Sequence, residues 1–99
     1  MVVHVVMWRL ADASRREEVL REVRERLLSM QGRIPQVLDV EVGVQGRPDP
    51  DAYDVVLVTR HADWEGLDAY QVHPYHQEVK AFLGERLTGR CVVDYEVRA

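Results

Sequence analysis

Between Ala69 and Leu83 the chain reads AYQVHPYHQEVKAFL, which sets Tyr70, His73 and His76 at three-residue intervals around Pro74. A tyrosine and a histidine brought together suit the removal of a proton next to a carbonyl group. A neutral imidazole, with an ordinary pKa of about 6.5, is the side chain best matched to general-base work at neutral pH. A phenol can donate a hydrogen bond to the carbonyl oxygen as negative charge develops on it. His76 falls in the first turn of a helix expected to open near Pro74, where the helix dipole disfavours imidazolium and keeps the base neutral. Tyr70 stands six residues before His76, so the two meet only across the bend at His73–Pro74.

The same residues have plainer readings. A Tyr–His pair beside a helix break can simply satisfy buried hydrogen bonds, and His73 suits a cap on the segment that follows it. His73 and His76 also stand three apart, and His4 or His61 would add a third metal ligand. The usual helical pair is spaced by four, however, and neither a cysteine nor a carboxylate joins them by motif, so no metal is expected. Cys91, the one cysteine, leaves no internal disulfide or Cys-rich metal site. It has no histidine partner in the sequence and is expected to point into the core, which argues against a thiol nucleophile. There is no Gly-rich phosphate loop, no G-x-S-x-G elbow and no haem or flavin ligand motif, so no cofactor is expected.

These side chains need elements to hold them. Val2 to Leu10 reads as a strand with Val3, Val5 and Met7 on one face and His4, Val6, Trp8 and Leu10 on the other. Both faces are apolar, so the strand is expected to be covered on both sides. If the second face meets the helices, His4 enters the pocket of Tyr70 and His76, with Val6 and Trp8 beside it. Ser14 and Glu17 fit a capping box that opens a helix, with Leu20, Val23, Leu27 and Met30 as its apolar stripe and Glu17–Arg21 and Glu22–Arg26 paired on its solvated face. Gly32 and Pro35 stop that helix. Val37 to Val44 alternates as a second strand, Gln45 to Tyr53 is a loop rich in Pro and Asp, and Asp54 to His61 is a third strand. Asp63 is the expected N-cap of a short helix from Trp64 to Tyr70, and Pro74 suits the first turn of a second, with Val79, Phe82 and Leu83 as its apolar face. Arg90 to Val97 closes the chain's pattern as a fourth strand.

Strand, helix, strand, strand, broken helix, strand is the α+β, ferredoxin-like order: a four-stranded antiparallel sheet with helices on one face. Ninety-nine residues suffice for one such domain, spanning residues 1–99, and are too few for two. The helices leave one sheet face bare, and a second copy of the chain is the simplest cover for Val3, Val5 and Met7. A sheet-to-sheet homodimer is therefore expected. A net charge of −4, with arginines interleaved among acids, argues against a nucleic-acid partner. The apolar opening MVVHVVMWRL lacks a basic leader and is far too short to span a bilayer, so no membrane partner and a cytoplasmic location are expected.

The opening strand with its early histidine (VHVVMWRL), the segment YQVHPYH followed by the apolar VKAFL, and the closing RCVVDYE together resemble the stress-responsive dimeric α/β-barrel (Dabb) family over nearly the whole chain. The resemblance implies two ferredoxin-like units pairing into a dimeric α/β barrel. The family holds plant stress proteins, many bacterial proteins of unassigned role, and a plant polyketide cyclase that closes its substrate by a cofactor-free aldol reaction. Carried over from that cyclase, His76 is the catalytic base, Tyr70 the donor on the oxygen side, and His4 an orienting residue of the pocket wall. His73 and Tyr75 are placed as further lining residues with Val6 and Trp8. The cyclase has alanine at the position of Tyr75 and a lighter apolar residue at that of Trp8, so the pocket here is reshaped and its substrate does not carry over. Three functions follow from the resemblance: a small-molecule-binding protein with a pocket between sheet and helices, a cyclase or aldol-type enzyme acting on a carbonyl-containing or small apolar ligand, and a structural stress protein.

Overall fold

Strand β1 (Val2–Leu10) is the axis of the molecule, because every other layer is defined by which of its two faces it meets. The computed structural model describes residues 1–98. After β1 come a single 3-10 turn at Ala13–Arg15, helix α1 (Arg16–Leu28), strands β2 (Asp39–Val44) and β3 (Val55–His61), helices α2 (Trp64–Val72) and α3 (Pro74–Gly84), and strand β4 (Leu87–Glu96). The sheet is antiparallel in the order β2-β3-β1-β4. This is the ferredoxin-like α+β fold, with both central strands flanked and the helices on one face. Among the described residues no helix is long and apolar enough to cross a membrane.

The period of two along β1 sorts the side chains. Val2, Val6, Trp8 and Leu10 join Val55 and Leu57 of β3, Leu20, Val23 and Leu27 of α1, and Val79 and Leu83 of α3 in one buried core. Each such side chain contributes roughly 1.5–3 kcal/mol on burial. The opposite face presents Val5 and Met7 beside Val93 and Tyr95 of β4, and Val93 is 61% exposed. Cys91 pairs with Met7 in register and so lies on this outer face, its Sγ 2.9 Å from Tyr53 Oη; the expectation of a core cysteine is corrected by strand parity.

Two further local readings change. Asp12, not Ser14, caps the first helical turn: its carboxylate accepts from the Ser14 N–H, and Arg15 at the start of α1 makes no side-chain cap. The ion pairs formed at this helix run from Arg15 to Glu18, from Arg16 to Asp54 ahead of β3, and from Glu22 to Arg86 of the α3–β4 connection, in place of the two i,i+4 pairs expected. Asp63 caps α2 as expected, accepting from Gly66 N–H at 2.8 Å, and Pro74 opens α3 at its first turn.

A bulge in β4 sets up the site. Arg9 pairs with Thr88 and Met7 with Cys91, so Gly89 and Arg90 together oppose the single residue Trp8. Gly89 sits at φ +68°, a left-handed conformation that costs glycine nothing and an L side chain roughly 1–2 kcal/mol. The extra residue switches the alternation, so Leu87 reaches the core while Arg90, three residues on, also faces the helices.

Candidate functional site

Between the helix-side face of β1 and helices α1 and α3 lies a narrow cavity of about 40 Å³. Its floor is His4, Val6 and Trp8 of β1 with Leu57 of β3; its walls are Leu27 and Met30 from the α1 end, Tyr70 and Gln71 of α2, and His76, Val79 and Leu83 of α3. Lys80 and Arg90 stand at the opening. Past Trp8 and Leu83 it adjoins a surface depression of about 230 Å³ floored by Leu87, Thr88 and Gly89.

Tyr70 is the centre of the cluster and fully buried. Its ring is 4.2 Å from that of His76, 5.0 Å from His61 and 5.8 Å from His4, centroid to centroid. The α2–α3 break makes this possible. His73 leaves the helical conformation at ψ 136°, as a residue before proline should, and the turn lays His76 back against Tyr70. Among the described residues the phenol's one hydrogen-bond partner is the thioether sulfur of Met30 at 3.9 Å. Burial pushes its pKa well above the ordinary tyrosine value, so the O–H stays protonated and available as a donor.

The three buried histidines are held differently. His61 is tied at both nitrogens, donating from Nδ1 to the Gln36 carbonyl and accepting at Nε2 from Thr59 Oγ1, each at 2.8 Å. It has no open position and is a core residue. His76 donates from Nδ1 to the Gln71 carbonyl at 3.1 Å, and since a carbonyl can only accept, the neutral ring carries its lone pair on Nε2. That nitrogen has no protein partner among the described residues. Burial holds the His76 pKa below the ordinary value, the Gln71 bond opposes this, and the charges of Lys80, His4 and Arg90 lower it further. His4 is 2% exposed and bonds through Nδ1 to Asp94 Oδ1 at 2.5 Å. The two residues are direct cross-strand partners in the β1–β4 register, so the carboxylate fixes the ring and again leaves Nε2 without a protein partner.

Thus the structure brings together His4, Val6, Trp8, Tyr70 and His76, and leaves His73 and Tyr75 outside. His73 turns its Nδ1 to accept from the Tyr75 N–H at 3.0 Å, capping α3. Tyr75 points away along α1, where its hydroxyl is 2.5 Å from Ser29 Oγ and the Arg33 guanidinium lies over its ring. The narrowing expected of two aromatics is therefore the work of Trp8. Asp94, Lys80 and Arg90 were not singled out by the sequence reading. Lys80 had a signal, four residues after His76 on one helix face; Asp94 and Arg90 depend on a strand register that only the fold reveals. Among the described residues no group of three or more His, Cys, Asp or Glu is placed to hold a metal ion.

Residues 2–97 match the family described as Stress responsive A/B Barrel Domain, Dabb. The chain belongs to this family. No curated protein matches the Dabb chain significantly. Among solved structures it is similar to a dimeric protein of unknown function and ferredoxin-like fold from Bacteroides fragilis, with 26% identity, a TM-score of 0.84, and coverage of 97% of this chain and 95% of that one. A dimeric ferredoxin-like protein of unknown function from Thermobifida fusca has a TM-score of 0.84 at 23% identity, covering 97% and 90% of the two chains. The hydroxynitrile lyase of Passiflora edulis shares the fold at 13% identity, with a TM-score of 0.83 and coverage of 98% and 93%.

Proposed function

We propose that this Dabb protein is a homodimer in which each protomer's cavity binds a small carbonyl compound and removes a proton from the carbon next to the carbonyl. The observation that carries the reading is the state of Tyr70. A core tyrosine with its ring fully buried ordinarily finds a good partner for its hydroxyl; here the partner is a thioether at 3.9 Å. Around it stand two imidazoles, each pinned at Nδ1 and open at Nε2. A core trimmed for stability would resemble His61, tied at both ends.

In the proposed step His76 Nε2 takes the α-proton, the C–H electrons form the enolate double bond, and the negative charge on oxygen accepts a hydrogen bond from Tyr70. His4, its ring fixed by Asp94, forms the cavity wall against which the ligand packs. The enolate then regains a proton from His76, or attacks a second carbonyl carbon in an aldol reaction whose alkoxide takes up the proton held by His76. The chemistry needs no cofactor. The enclosed space is about 40 Å³, and one water-sized group needs roughly 10–15 Å³ in this measure, so it takes a carbonyl with one or two carbons. A long acyl chain would have to displace Trp8.

Dimerisation is supported by the outer sheet face, where Met7, Val93 and Tyr95 lie exposed at 37%, 61% and 46%. Contiguous apolar surface of this kind is covered in stable proteins, and the Bacteroides and Thermobifida relatives are described as dimeric.

The test is proton exchange. Acetone, butanone and dihydroxyacetone are incubated with the protein in D₂O at neutral pH, and α-deuteration is followed by NMR. The expected result is exchange well above the buffer rate, lost in His76→Ala. Exchange at the buffer rate for the whole set, with no line broadening of the ketones, sinks the enzyme reading and leaves assembly as this protein's work.

A further inference from the structure

Lys80 is the chain's single lysine, and it lines the cavity opening beside Arg90. No described acid pairs with either, as is also true of most of the chain's other arginines; what sets these two apart is that both line the cavity. The chain carries 17 acids against 13 basic residues, yet no acid lines the cavity or the depression next to it. The two cations come from different elements. Lys80 follows His76 by one turn of α3, so both share a helix face. Arg90 faces inward because the bulge at Gly89 lets two inward residues, Leu87 and Arg90, stand three apart.

We infer that Lys80 and Arg90 form an anion-binding mouth, and that the ligand of this cavity is a short oxoacid: carboxylate at the mouth, carbonyl inside between Tyr70 and His76. The inference rests on the reading of the cavity as a ligand site and adds its substrate class. Two cations that line the same apolar cleft, with no acid beside them, are an arrangement that selects an anion. Their charges also act on His76, adding to the lowering of its pKa that burial causes, so the same pair that orients the acid also favours the neutral base. Long charged side chains at a cleft edge also cover apolar surface with their stems, and that bland role would leave ligand charge without influence.

The experiment compares 4-oxopentanoate with pentan-2-one, its neutral counterpart, by titration calorimetry and by the indole N–H signal of Trp8, against wild type, Lys80→Met and Arg90→Met. The oxoacid is expected to bind the wild-type protein at least tenfold more tightly than the ketone, with an affinity that falls as salt is raised. Each variant is expected to erode that preference by roughly tenfold, the share of one charged hydrogen bond. If both compounds shift Trp8 with equal affinity and the variants change nothing, the anion mouth is wrong while the cavity reading stands. If neither compound shifts Trp8, the cavity reading fails and this inference with it.

Discussion

Replacing Tyr70 by phenylalanine separates a catalytic phenol from a structural one. The substitution removes one oxygen and keeps the ring, which still packs against His4, His61 and His76. What is lost in the free protein is a contact to Met30 Sδ at 3.9 Å, well short of the roughly 1 kcal/mol of an ordinary buried hydrogen bond. Removing a poorly paired hydroxyl from the core even relieves a desolvation cost. The stability change is therefore expected within about 1 kcal/mol of zero, a Tm shift of no more than about 4–8 °C for a domain of this size. The transition state is another matter. If the phenol donates to the enolate oxygen, its loss costs on the order of 10²–10³ in rate, as for other preorganised donors. Calorimetry and α-deuterium exchange on the same preparations give both numbers. A Tm lowered by much more than about 8 °C with exchange unaltered would mean that the hydroxyl holds up the core, and the argument from its weak partner would collapse.

Thr59→Val strips His61 Nε2 of its donor and should destabilise by about 1–3 kcal/mol while leaving the exchange rate untouched; a rate loss matching that of Tyr70→Phe would put His61 in the site. Burial holds both His61 and His76 below the ordinary histidine value of 6.5, so the unfolded chain binds protons first as pH falls. The contribution of these groups to stability is then complete above pH 6.5 and is lost below it, which denaturation at pH 7.5 and 5.5 will register as a smaller unfolding free energy at the lower pH. The same depressed value in His76 predicts an exchange rate level across neutral pH with an acid limb below 6.5; a limb centred above that value would remove His76 as the base. Val93→Asp places a charge on the exposed outer face beside Val5 and should yield a folded monomer by light scattering, and a dimer that persists unchanged would move the interface elsewhere.

Much of this architecture is legible in the chain because burial follows simple periods. The two apolar faces of β1, the helical stripe of α1 and the punctuation by Asp63 and Pro74 are local patterns, and each maps onto an element in the structure. His76 and Tyr70 are legible too, since six residues and one proline define the bend that stacks them. What escapes is whatever depends on register. Asp94 stands ninety residues from His4, and nothing local in VVDYE marks it as the carboxylate that orients that ring. Tyr75 fails in the opposite direction: it is next to His76 in sequence, but neighbours on a helix point about 100° apart, so it leaves the cavity for Ser29 and Arg33.

Register also explains why the site and the outer face cannot drift into one another. A slip of one residue between β1 and β4 would set His4 opposite Val93 or Tyr95, turn Asp94 outward and present the valines to the helices, exchanging the two faces at a stroke. The bulge at Gly89 is the one place where the parity does change, and it does so below the His4–Asp94 pair, where Trp8 meets Arg90. Alanine at position 89 would strain the left-handed turn and favour regular pairing. Regular pairing cannot keep both Leu87 and Arg90 facing the helices, because residues three apart on an unbroken strand lie on opposite faces. Either the core loses Leu87 or the mouth of the cavity loses its arginine. One glycine therefore couples the packing of the strand's first residue to the charge at the opening, while Asp94, four residues beyond Arg90 on regular strand, keeps its hold on His4.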